Sequence, residues 1–164
     1  KVVDRANMMR FGAPRAIAKT AVAGADQTPE ALSRTTWARW CGRGLQASDQ
    51  SRAEAQVNEM LTLMQEFGKP FGHRLGRAIL AYAGAYPEAE GIGDRLSMAL
   101  ADQIEMRLLP KLRGVEVEDQ SQQFDRLQRK ASEFGDEKLA EAIGQSVEAA
   151  GALTGQCVWK GVVR

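Results

Sequence analysis

The stretch Trp37-Ala38-Arg39-Trp40-Cys41-Gly42-Arg43 sets two indole rings three residues apart and two guanidinium groups four residues apart. On a helix, Trp37, Trp40 and Cys41 share one face while Arg39 and Arg43 share another. Rings beside guanidinium groups can stack nucleic-acid bases and hold phosphates, at about 1–3 kcal/mol per stacked base. The plainer reading is favoured: the tryptophans belong to a core and the arginines are solvated. The single histidine, His73, cannot build a multi-histidine metal site, and no nucleophile stands beside it in a triad. It reads as a packed or half-exposed side chain. Its neighbour Arg74 reads, on residue type alone, as a solvated or ion-paired surface arginine, and Arg5 as a local partner of Asp4. Cys41 and Cys157 lie far apart, so they form no disulfide scaffold and no ligand pair at metal-site spacing. No metal site is expected. The sequence contains no G-x-x-x-x-G-K-[ST] phosphate loop, no apolar strand ending in paired acids, and no H-E-x-x-H, C-x-x-C or G-x-S-x-G. Catalysis by these residues acting alone is not expected.

The elements that must position these side chains are mostly helices. Thr28-Pro29-Glu30 combines an N-cap hydroxyl, a first-turn proline and an early carboxylate, which predicts a helix through Trp37 and Trp40 ending at Gly42 or Gly44. A second helix is predicted from about Ser48, with Ala53, Val57, Met60, Leu61 and Met64 on one face, ending at Gly68 and Pro70. Phe71, Leu75, Ala78, Ile79 and Tyr82 mark a third, ended by Pro87. Ile92, Leu96, Ala99, Leu100, Ile104 and Leu108 mark a fourth, running to Pro110. Phe124, Leu127, Ala131 and Phe134 form a stripe stopped by Gly135. Leu139, Ala142, Ile143 and Val147 form another, capped by Asp136. Met8 to Phe11 predicts a short β element before Gly12 and Pro14, and Gln156 to Val163 a short strand or extended tail. The expected fold class is mostly α, a multi-helix bundle with a short N-terminal β element.

Composition sets the outer limits. A chain of 164 residues fits one domain, or one domain with a small appendage, and is long enough to bury a real core. Lys and Arg number 22 against 21 Asp and Glu, so any electrostatic partner must be recognised by a local patch. No apolar run approaches the length of a membrane span, and no signal peptide is recognisable. A cytoplasmic location, with no membrane partner, is expected.

Three segments carry a family resemblance. "FGKPFGHRLGRAILAY" (67–82), followed by "LADQIEMRLLPKLRG" (100–114), resembles the lid region of AAA+ NTPases of McrB type, the motor subunits of modification-dependent restriction systems. In that family an aromatic-Gly-aromatic-Arg turn opens one lid helix, and the next helix ends in an "LPKL-G" signature. The opening "KVVDRANMMRF" resembles the segment after the sensor-1 strand, and all three pieces keep the family's order.

The resemblance implies a domain plan. Residues 1–14 would end an AAA+ core, 15–56 would be an insertion or linking helices, 57–151 the helical lid bundle, and 152–164 a C-terminal tail. The chain would then be a C-terminal portion of a longer NTPase, with the phosphate loop and acidic strand upstream. It would hold no cofactor by itself, while the parent would use ATP or GTP with Mg2+. Arg74 would be the sensor-2 arginine, with His73 beside it at the nucleotide. Arg5 and Arg10 lie where related enzymes supply arginine fingers; a permanently charged, planar guanidinium suits that task because it spreads charge over developing phosphoryl oxygens. The implied partners are other subunits of the same ring, a nuclease subunit of McrC type, and DNA held by the assembled complex. The alternative is a freestanding helical interaction or nucleic-acid-binding module working through Trp37, Trp40, Arg39 and Arg43.

Overall fold

The computed structural model describes residues 33–35, 44–87 and 94–162. Five α-helices lie within them: α1 Ala47–Glu66, α2 His73–Ala85, α3 Arg95–Gln103, α4 Ser121–Glu133 and α5 Glu137–Leu153. The protein is mostly helical, a multi-helix bundle, as its apolar periodicity predicts. Met8 to Phe11, the helix expected from Thr28, and Ile92 lie outside the described residues.

Each helix buries the stripe read from its spacing. Ile79, Ile104, Ala131 and Leu139 are fully shielded from water, and Leu100, Leu127 and Ile143 nearly so. Each of the leucine and isoleucine side chains contributes roughly 1.5–3 kcal/mol of transfer free energy. The stripes of all five helices meet in one core, with Leu61, Tyr82, Ala142 and Val147 only partly buried at its margin. α4 and α5 form a hairpin, α1 packs on both α2 and α4, and α2 packs on α3. The Phe67 and Phe124 rings meet edge to face at 4.9 Å, fixing the end of α1 against α4. Surface ion pairs Arg126–Glu66 and Lys130–Glu59 bridge the same two helices.

α1 and α2 run antiparallel around a short turn. Gly68 makes that turn possible: it sits at φ 68°, and the Lys69 N–H reaches back to the Met64 carbonyl at 2.8 Å. This left-handed position after the last helical residue is a standard glycine site. At the other end of the pair, Gly84 of α2 lies against the chain entering α1. A β-carbon there would come within 2.8 Å of the Gly44 carbonyl carbon and the Leu45 nitrogen. The expected boundary between residues 56 and 57 falls inside α1, which is continuous across it.

The helix predicted to reach Pro110 in one piece changes form. α3 ends at Gln103, a π-helical turn spans Ile104–Leu108, and a 3-10 turn containing Pro110 spans Leu109–Leu112. Proline cannot donate a hydrogen bond, and its ring crowds the carbonyl four residues back, here that of Met106. Widening the preceding turn, so that the Leu109 N–H reaches the Ile104 carbonyl, accommodates it.

The tail after α5 is extended and tied down. Glu116 and Gln156 form an antiparallel β-bridge, the Val117 N–H donates to the Gly155 carbonyl, and the Cys157 N–H donates to the Val115 carbonyl, the last two both at 2.8 Å. Further on, the Val162 N–H donates to Oε1 of the buried Glu105 at 3.2 Å. Among the described residues this bridge is the only β pairing in place of a full strand.

Candidate functional site

The residues singled out for chemistry separate into two groups. Arg5, Arg10, Trp37, Arg39, Trp40 and Arg43 lie outside the described residues. His73 and Arg74 lie on the first turn of α2, and around them a site can be built.

That turn begins with Phe71, whose ring is buried and anchors the chain to the core. Gly72 follows as N-cap in an extended conformation. Its carbonyl accepts from the Leu75 N–H at 3.0 Å and the Gly76 N–H at 3.2 Å, but it has no side chain with which to cap the helix. The leading N–H groups of α2 are therefore free for an external acceptor, at the positive end of the helix dipole. Lys69, His73, Arg74 and Arg77 surround this end and are all exposed. No side chain of the four forms an ion pair or hydrogen bond among the described residues. Near-zero net charge thus coexists with a local cationic patch carrying three permanent charges.

A groove of about 370 Å³ lies beside the patch, between α1 and α2. Val57, Leu61, Phe71 and Leu80 form its apolar floor. Glu54, Asn58 and Gln65 stand along the α1 wall, and His73, Gly76 and Arg77 along the α2 wall. The structure therefore brings His73 together with Arg77, one helical turn on. It does not bring Arg74 into the groove: a step of one residue rotates the side chain by about 100° to the adjoining helix face. Arg77 and Lys69 were not singled out by the sequence reading. The signal for Arg77 was its i+4 spacing from His73, and for Gly76 a missing side chain on the face turned toward α1.

Elsewhere the described residues offer less. A gap of about 20 Å³ between α1, the π-helical turn and α4 is lined by Met60, Met64, Leu108 and Leu127, and holds at most a water molecule. No group of three His, Cys, Asp or Glu side chains converges on a metal position among the described residues. No described helix is long and apolar enough to cross a membrane. The thiol of Cys157, in the tail, is packed into the core, and desolvation pushes it up to about 11, so it is a packed side chain and not a nucleophile at neutral pH.

Fold and site together define a helical-bundle domain with a cationic, uncapped helix end beside an apolar groove. The chain belongs to a family described as a domain of unknown function, DUF8727, whose family model matches residues 31–149. The match takes in α1 to α4, most of α5 and the Trp37–Arg43 stretch, and it begins after the "KVVDRANMMRF" segment. No curated protein and no solved structure matches the chain.

Proposed function

We propose that the chain is the lid-bearing part of a ring-forming AAA+ NTPase of McrB type, in which Arg74 contacts the phosphates of the bound nucleotide. One observation carries this reading beyond the order of the three resembling segments. The arginine of the aromatic-Gly-aromatic-Arg turn is exposed, unpartnered among the described residues, and mounted on the first turn of a helix that no side chain caps. A structural arginine would be expected to pair with an acid or pack its stem. An arginine held free beside unpaired N–H groups suits a phosphate, which accepts from both.

The fit is partial, and its division is informative. The described residues offer phosphate oxygens a guanidinium and a helix end, but offer Mg2+ no ligand cluster. In this reading the nucleotide, ATP or GTP, and its Mg2+ are bound chiefly by the parent's core, and the lid supplies charge from above. Arg5 and Arg10 belong to the edge of that core as candidate fingers for the neighbouring subunit. DNA and an McrC-type nuclease subunit are partners of the assembled ring, in the cytoplasm.

Replacing Arg74 by Ala in the full-length protein is the test. Loss of one preorganised donor to a developing phosphoryl charge is expected to slow hydrolysis by about a hundredfold. Because Arg74 is exposed, the helical circular dichroism and melting temperature should stay at wild-type values. Unchanged turnover would remove Arg74 from the site.

A further inference from the structure

We infer that the groove between α1 and α2 is a docking site for an amphipathic helix of a partner protein, one whose apolar stripe is flanked by carboxylates. This goes beyond the NTPase reading and does not rest on it, since Arg74 takes no part in the groove.

Shape is the first argument. The α1 wall contributes residues at i, i+3, i+4, i+7 and i+11, from Glu54 to Gln65. That spacing makes a straight trough about 16 Å long, roughly three turns of a docked helix. A helix laid in such a trough presents anchors at i, i+3 or i+4, and i+7. The floor is ready for them, because Leu61 and Leu80 keep part of their apolar surface in water. Gly76 keeps the middle of the trough open. A β-carbon there would lie 3.6 Å from Val57 Cγ1 and 3.9 Å from the Phe71 ring, ordinary contact distances. Close packing therefore does not demand the glycine.

Charge is the second argument, and it selects the occupant. The α2 wall carries Arg77 and His73, with Lys69 at the turn, and none has an acidic partner among the described residues. The α1 wall carries two amides, Asn58 and Gln65, and one carboxylate, Glu54, which accepts a hydrogen bond from the neutral Gln50 amide and keeps its charge. The two walls thus differ in charge, with the carboxylate of Glu54 near the start of the α1 side and the guanidinium of Arg77 on the α2 side. A complementary helix carries Glu or Asp along the flank facing α2, where opposite charge steers binding and fixes its register.

The experiment titrates the full chain against two labelled synthetic helices and follows fluorescence anisotropy. Both carry leucine at i, i+3 and i+7; one has Glu along a flank and the other has Lys there. The Glu helix should bind about tenfold more tightly or better, and Arg77→Glu should erase that preference. Gly76→Leu, which fills the trough, should abolish binding of the Glu helix while helical content is retained. Should Gly76→Leu fail to fold, Arg77→Glu at its exposed position decides alone. Equal affinity for the two helices overturns the inference, as does undiminished binding of the Glu helix to Arg77→Glu. Self-association that Gly76→Leu removes, with no binding of the Glu helix, assigns the trough to a second copy and overturns it too.

Discussion

Asp136 shows how much a single side chain can decide in this chain. Its Oδ1 accepts from the Leu139 N–H at 3.0 Å in a buried setting, closing the tight passage from α4 into α5. Asp136→Ala removes the cap and leaves a buried donor unpaired, so unfolding free energy should fall by about 1–2 kcal/mol. Asp136→Asn, which keeps the accepting oxygen, should recover most of it, and denaturant titration of the two variants reads the difference. Cys157 makes a second residue-scale prediction. Its thiol rises from an ordinary 9.0 to about 11 because burial disfavours the thiolate. Between those values the unfolded chain releases a proton that the folded chain keeps, so the thiol's contribution is fully present below pH 9 and is lost as pH rises through 11. The loss should reach about 2–3 kcal/mol. Tyr82, raised by burial and by its hydrogen bond to Asp102, pushes in the same direction at still higher pH. Thermal melts between pH 8 and pH 11 should therefore decline more steeply for the wild type than for Cys157→Ala, and parallel slopes would contradict the assignment.

At the scale of elements, close approach between α2 and the entry to α1 is the feature most exposed to test. Alanine ordinarily stabilises a helix relative to glycine by about 1 kcal/mol. At position 84 the added carbon meets backbone, not a side chain that could swing away. The steric cost, about 1–3 kcal/mol, should win, lowering the melting temperature by about 2–4 °C per kcal/mol. A Gly84→Ala variant that melts above wild type would mean that the two segments have room to separate. This is also the scale at which sequence reading succeeds best. The stripes through Ile79, Leu100, Leu127 and Ile143 were legible because burial on one helix face leaves a periodic trace in the chain. The π-helical turn was not: Pro110 announces a break, but whether the chain bends, stops or widens depends on what packs around it. Nor was the Glu105 anchor, since its partner Val162 lies 57 residues away and no local pattern encodes that meeting. Arg74 could be singled out by its motif, whereas the groove beside it needed α1 and α2 to be brought together in space.

For the whole molecule, the helices α1 to α5 share one core, and the cationic helix end lies at the α1–α2 edge. The DUF8727 match covers that edge entirely and also includes residues 31–46, so the lead-in to α1 belongs to the same family unit as the helices. In the NTPase reading the core of this bundle is a rigid support, and its function is to hold one guanidinium where a triphosphate will be. The most direct measurement is steady-state hydrolysis of ATP and of GTP by the full-length protein, with wild type, Arg74→Lys and Arg74→Ala compared under conditions where the ring is assembled. The account predicts turnover of one of the two nucleotides by wild type, a graded loss through Lys, which keeps the charge but not the planar fork, and a fall of about a hundredfold in Ala with the fold unchanged. Equal turnover in all three proteins, or no hydrolysis of either nucleotide by the wild type, would contradict it.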